Sequence, residues 1–278
     1  MHQYRRPTAR LPLERRLGDW MRARLPFGVA EFVMFGLKQG WACLFGGLML
    51  ALLIATHLIW QPDWLLSRYD FLLLTAIAIQ VAFLATGLES WREAKVIVLF
   101  HVSGTVMEVF KLHMGSWDYP DTGLFEIAGV PLFSGFMYAS VGSYMARVIR
   151  LFDMRFAPYP PRWMAWSLGI AIYLNFFWHH FGPDLRYVLM LATLLVFGRT
   201  MIGFTVTRRF QMPLIVAAAL STIFLWLAES IGTATGTWVY AGQAAFTLAP
   251  IAKAGSWYLL LYVSYVQVML VHPDRAGN

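Results

Sequence analysis

Cysteine occurs once in these 278 residues, at Cys43. That excludes an intramolecular disulfide framework and any zinc or iron–sulfur centre built on thiolates. Charge is scarce too, with Asp, Glu, Lys and Arg at 13% of the chain, about half the share of an ordinary soluble domain. No Walker loop, GxSxG elbow, dinucleotide fingerprint or HExxH box is present. Nucleotide, hydrolase and zinc-protease chemistry of the soluble type therefore has no support. Nor does an HxxxH or HxxHH box recur, as a membrane di-iron desaturase would need.

Apolar surface is what the chain has. Hydrophobic residues make up 59% of it and aromatics 16%, with mean hydropathy +0.57. This composition predicts an integral membrane protein. Apolar runs near 40–60, 69–88, 95–113, 131–151, 163–181, 185–204, 212–234 and 254–271 are each long enough for a ~30 Å hydrocarbon core. The expected fold is all-α, a polytopic membrane helix bundle of about eight spans. The first run is followed by further spans, so it reads as a span and not as a cleavable signal.

The net charge of +7 invites a nucleic-acid partner, but its distribution points to a membrane. Residues 1–38 hold eight of the 22 Lys and Arg and read as a basic cytoplasmic tail. Within it, Leu13 to Leu25 places Leu17, Trp20 and Met21 on one face and arginines on much of the other, as in a helix lying on the membrane surface. With that tail inside, seventeen basic residues fall on the cytoplasmic side and three (Arg68, Arg186, Lys253) on the outer side. Both termini are then expected in the cytoplasm of a bacterial inner membrane. Lys111 and Arg199 fall within spans, where Arg199 either snorkels or pairs inside the bundle.

Shifted by 121 residues, the chain matches itself at rare residue types. Glu108, Gly115, Trp117 and Tyr119 fall on Glu229, Gly236, Trp238 and Tyr240, and Ser143-Tyr144 falls on Ser264-Tyr265. Four crossings preserve direction, so residues 39–151 and 152–278 are expected as two parallel four-span repeats.

Carboxylates inside spans are costly and mark function or a buried pairing. Glu108 and Glu229 sit at equivalent places, each with a Gly-x-Trp-x-Tyr turn beginning seven residues on. Facing one another across a cavity, they would supply acid–base chemistry or a proton-coupled carrier. The alternative is that each Glu only ties its helix to its loop. His101 and Lys111 share a helical face with Glu108, and a Glu108–Lys111 pair could serve only to neutralise both charges. Trp117, Tyr119, Trp238 and Tyr240 are candidate pocket walls. Asn175, His179, His180 and Arg186 converge on the same membrane face as candidate substrate contacts. His113, His179, His180 and a Glu are of metal-ligating type, but histidines satisfied by water or carbonyls are the preferred reading. The segment 115–130 is expected to fold back as a re-entrant loop against protein or a cavity.

The stretch from Phe100-His101 through Gly104-Thr105, Met107-Glu108, Phe110-Lys111 and Gly115-Ser116-Trp117-Asp118-Tyr119-Pro120 resembles the uncharacterised bacterial membrane family called domain of unknown function 817. Gly129 to Tyr138, Gly142-Ser143-Tyr144 and Asn175-Phe176-Phe177 with His180 continue the resemblance over most of the chain after about residue 30. It implies a multi-span inner-membrane protein and carries no established activity. The turn Gly236-Thr237-Trp238-Val239-Tyr240 after Glu229 is also similar to that of the small membrane lycopene cyclases and carotenoid hydratases. The chain departs from the cyclases at Ser134-Gly135, where they place two acids.

Three readings follow. One is a cofactor-independent acid–base enzyme acting on a lipid or isoprenoid in an outward-facing pocket. Another is a proton-coupled transporter or lipid flippase. The last is a membrane scaffold or assembly factor. Membrane lipids are the expected partners, with no cofactor, metal or nucleic acid.

Overall fold

The structure is a computed structural model that describes residues 19–277 except 22, 62 and 245. Most of the expected surface helix over 13–25 lies outside these residues.

Nine helices account for most of the described chain: α1 (Phe27–Ala42), α2 (Leu44–Ile59), α3 (Arg68–Ala85), α4 (Trp91–His113), α5 (Phe133–Leu151), α6 (Arg162–Trp178), α7 (Arg186–Phe197), α8 (Leu214–Ala234) and α9 (Ala252–Val271). Four of them (α3, α4, α8 and α9) are long and apolar enough to cross a membrane, and α1 with α2 forms a fifth candidate bent by 68°. The bend falls at Cys43, where Arg147 donates to the carbonyl of Trp41 at 3.4 Å. Helix α1 begins at Phe27, within residues 1–38.

Connections gather at two ends. At one, Trp117–Asp118 (β1) pairs antiparallel with Val239–Tyr240 (β7), and Glu126–Ile127 (β2) forms a hairpin with Val130–Pro131 (β3). The segment 115–130 thus contains β1 and leads into this hairpin, which is turned by Ala128 and Gly129 at φ 52° and 79°. Asp70 of α3 fixes it, accepting from the N–H groups of Leu124 and Phe125 at 2.9 and 3.1 Å. At the other end, Arg155–Ala157 (β4), Met201–Thr205 (β5) and Arg209–Pro213 (β6) form a three-stranded sheet.

That sheet corrects the expected sixth span. The helix stops at Phe197, and what reads as its last turns is β5. A short apolar run cannot be assigned by periodicity alone. Here Met201-Ile202-Gly203-Phe204-Thr205 pairs residue for residue with Arg209–Pro213 in a hairpin, with Ile202, Gly203 and Phe204 buried. Arg199 lies exposed in the turn, outside any helix.

Helix α4 packs closely on α5 because glycines face rings. A Cβ at Gly104 would lie 2.5 Å from Tyr138, and one at Gly142 would lie 2.9 Å from Phe100. Gly135 likewise leaves room for the imidazole of His101, which packs edge-on to Phe136 with ring centroids 4.9 Å apart. Near the sheet end, Arg147 and Glu89 form a buried ion pair at 2.9 Å, to which Ser143 and Gln80 also donate.

Candidate functional site: an apolar chamber with two carboxyl clusters

Helices α4 and α8 each end in the same turn. At the first, the N–H of Ser116 donates to the carbonyl of Lys111 at 3.0 Å and that of Gly115 to Leu112 at 2.9 Å. At the second, Thr237 donates to Gly232 at 2.9 Å and Gly236 to Thr233 at 3.1 Å. This double closure needs a left-handed residue, which Gly supplies without a Cβ penalty. Gly115 and Gly236 sit at φ 63° and 62°.

The turns swing an indole and a phenol back over each helix. Trp117 Nε1 donates to Glu108 Oε2 at 2.8 Å, and Tyr119 donates to the same oxygen at 2.6 Å. Trp238 Nε1 donates to Glu229 Oε1 at 2.8 Å, and the Tyr240 hydroxyl donates there too. Tyr138 of α5 gives Glu108 a third donor, at 2.6 Å on Oε1. Both carboxyl groups are buried. Burial would be prohibitive for an unpartnered carboxylate; hydrogen-bond donors are what make it sustainable. The phenols of Tyr119 and Tyr240 titrate well above the usual tyrosine range, from burial first and then from the neighbouring Glu.

The clusters meet. Trp117 lies edge-on to Tyr240 with centroids 5.8 Å apart, across the β1–β7 pair. Lys253 places its ammonium 3.7 Å above the Tyr240 ring and 5.9 Å from Trp117. Tyr69 and Arg68 brace the second turn, donating to the carbonyl and hydroxyl of Thr237 at 2.8 and 3.1 Å.

Both Glu side chains open on one chamber of about 880 Å³. Its wall also includes Lys111, Trp117, Tyr119, Asn175, His179, Arg186, Trp238 and Tyr240, so ten of the twelve candidate residues line it. Below them the wall is apolar, running past Phe35 and Leu220 to Phe204 and Met212 near the sheet end.

The remaining candidates sort differently. Lys111 does not pair with Glu108, whose nearest donors are already in place. Its ammonium lies 3.1 Å from His179 Nε2 and 2.9 Å from His180 Nε2. His180 thus joins the site through Lys111 without lining the chamber. His101 is not part of the chamber wall: the space at Gly135 draws its ring toward α5, although helical spacing puts it on the Glu108 face. Asn175 serves the α6–α7 connection, donating to Asp184 at 3.1 Å and accepting from the Leu185 N–H at 3.1 Å. Arg186 pairs with Asp184 at 2.7 Å.

Three chamber residues escaped the sequence reading. Tyr138 and Trp257 look like ordinary span aromatics, and Lys253 like an outer-loop charge. The signal available for Lys253 was its position immediately before the last apolar run, where an ammonium drawn toward the membrane needs a reason.

Residues 31–265 match the family model described as protein of unknown function, DUF817. A Bacillus subtilis (strain 168) protein, described as the uncharacterized protein YoaT, is 41% identical over 242 residues, covering 86% of this chain and 91% of that one. Among solved structures, the mycobacterial Insig homolog MvINS from Mycobacterium vanbaalenii aligns with TM-score 0.49 at 13% identity, over 68% of this chain and 98% of that one. A cross-linked trimeric form of MvINS gives TM-score 0.48 at 12% identity, over the same shares.

Proposed function

The chain belongs to the DUF817 family, and we propose that it is a multi-span inner-membrane enzyme performing acid–base chemistry on a lipid or isoprenoid held in the chamber. The observation that carries this reading is that two buried carboxyl–indole–phenol clusters open on one largely apolar cavity of about 880 Å³. Such a cavity is large enough for most of a lipid-sized molecule. Tyr119 and Tyr138 connect the Glu108 carboxyl to the chamber, so a proton can pass between it and a bound molecule without a diffusible cofactor. Proton addition at one carbon by Glu108 and removal at another by Glu229 amounts to a net isomerisation; the pair holds one proton before and after, moved from Glu108 to Glu229, and proton exchange with water resets it for the next turnover.

The fold in this reading has about eight crossings in two parallel four-span repeats, with both termini in the cytoplasm. The matching turns at Gly115 and Gly236 and the collection of Arg150, Arg155, Arg208, Arg209 and Arg275 around one end support it.

Comparative lipid profiling of a deletion strain tests the activity. It is complemented with the native gene or with Glu108→Gln at matched protein level. A lipid species restored only by the native gene is the expected result; identical profiles would overturn the enzyme reading for lipid substrates.

A transport reading has one observation in its favour. The same chamber reaches from Glu108 at one end to Phe204 and Met212 beside the sheet at the other. It predicts unchanged lipid chemistry with altered uptake, efflux or leaflet distribution in the Glu108→Gln strain.

A further inference from the structure

The chamber holds more cationic donors than its own wall uses. Lys111 is 4% exposed, and an ammonium so placed needs partners. Its neighbours are the rings of His179, His180 and Phe176, with no carboxylate within 4 Å among the described residues. Two of its three N–H groups are used by the imidazoles, and one is left. Lys253 has the face of Tyr240 beneath it and, among the described residues, no hydrogen-bond acceptor or ion-pair partner. Lys253 and Arg186 both act electrostatically on Lys111, as does Asp184, which pairs with Arg186; the two ammonium groups are left as the cations at this end with no carboxylate at ion-pair distance among the described residues.

Of the two carboxyl groups nearby, Glu229 acts electrostatically on Lys253, but among the described residues neither forms an ion pair with Lys111 or Lys253. Glu108 is satisfied by Trp117, Tyr119 and Tyr138, and Glu229 by Trp238 and Tyr240. Two helix N-termini start at the same end, α7 at Arg186 and α9 at Ala252, and their amide dipoles favour negative charge. Below, the wall turns apolar along α1, α5 and α8.

We infer that the chamber binds an amphiphile with an anionic head group, seated on the ammonium groups of Lys111 and Lys253, with its hydrocarbon chain running down the apolar wall toward Phe204. Phosphate and carboxylate heads share the required chemistry, a compact anion with several acceptor oxygens. This inference rests on the chamber being a lipid site, as proposed above, and adds the charge of the head.

The test uses the full chain in neutral detergent and native mass spectrometry with hexadecyl phosphate, hexadecanoate and hexadecanol at equal mole fraction in the micelle. One or both anions are expected to bind at least about tenfold more tightly than the alcohol, and Lys111→Gln or Lys253→Gln to remove about tenfold of that preference. The stronger of the two anions identifies the head. Equal binding of alcohol and anions, or a preference that survives both substitutions, overturns the anionic head and leaves the lipid site standing. Failure of all three to bind overturns the lipid site as well. Lys253→Gln carries the test if Lys111→Gln does not fold, since Lys253 is the less buried of the two.

Discussion

Asp118 stands opposite Val239 in the antiparallel pair of β1 and β7, and the two are 121 residues apart. That is the offset at which the chain matches itself. The neighbouring partners, Trp117 and Tyr240, are each displaced by one residue from this centre, so the register is the one a twofold axis through the pair would impose. Each of the two helix-end turns carries a Glu, a Trp that donates to it at 2.8 Å and a Tyr that also donates to it.

The two glycines that launch these turns should be unequal under substitution. Gly115→Ala puts a Cβ on a left-handed residue in open space, and a cost of about 1 kcal/mol is expected. Gly236→Ala meets the same backbone strain and adds a Cβ 2.6 Å from the Phe246 ring. Thermal unfolding in detergent should rank Gly236→Ala clearly below Gly115→Ala. Equal midpoints would mean that Phe246 moves aside freely.

Why the halves differ at Lys111 is visible in the same turn. Its counterpart is Gly232, and a Cβ there would run into the Trp238 indole. The two sets of Glu, Gly, Trp and Tyr were legible in the sequence because rare residue types recurring at one offset stand out from an apolar background. Lys253, Tyr138 and the Arg147–Glu89 pair were not, because each acquires its role from a helix distant in sequence. His101 shows the opposite failure: helical spacing alone places it beside Glu108, and the absent side chain of Gly135 takes it elsewhere. At residues 198–204 local hydrophobicity alone reads as span, and only strand pairing with 209–213 reveals otherwise.

Removing one partner of the Arg147–Glu89 pair should be severe. Both side chains are almost fully buried. Arg147→Met strands Glu89 with only Ser143 and Gln80, and a loss of about 3–5 kcal/mol is expected from an uncompensated buried charge. The double variant Arg147→Met with Glu89→Gln removes both charges and should recover a large part of that loss. A double-mutant cycle on the yield of folded protein and its unfolding midpoint measures this. Additive losses would show that the two residues do not act as a pair.

At the α6–α7 connection, stability should depend on acid. Burial works against ionisation of Asp184, but hydrogen bonds from Asn175 and Arg186 and the Arg186 charge outweigh it and hold the carboxyl below the usual carboxylate range. A lowered folded-state value means stability that is fully present above the ordinary value of about 3.9 and is lost as pH falls through the folded one. The native protein should therefore exceed Asp184→Asn in unfolding midpoint at neutral pH, and the gap should close only in strong acid. A gap that is independent of pH would assign the effect to geometry and not to charge.

The final comparison separates the two carboxyl clusters by their donors. Tyr119→Phe keeps the ring and removes one of three donors to Glu108, leaving Trp117 and Tyr138. Tyr240→Phe removes one donor to Glu229, leaving Trp238 and a weaker contact from Trp257. A hydrogen bond to a charged group contributes about 1.5–3 kcal/mol, and the cluster whose remaining donors are weaker has less to compensate with. Tyr240 also carries Lys253 on its face, a contact that Phe retains, so the difference between the variants reports on the hydroxyl alone. Tyr240→Phe should lower the unfolding midpoint more than Tyr119→Phe. The reverse order would show that Glu108, and not Glu229, is the carboxyl whose phenol the fold depends on.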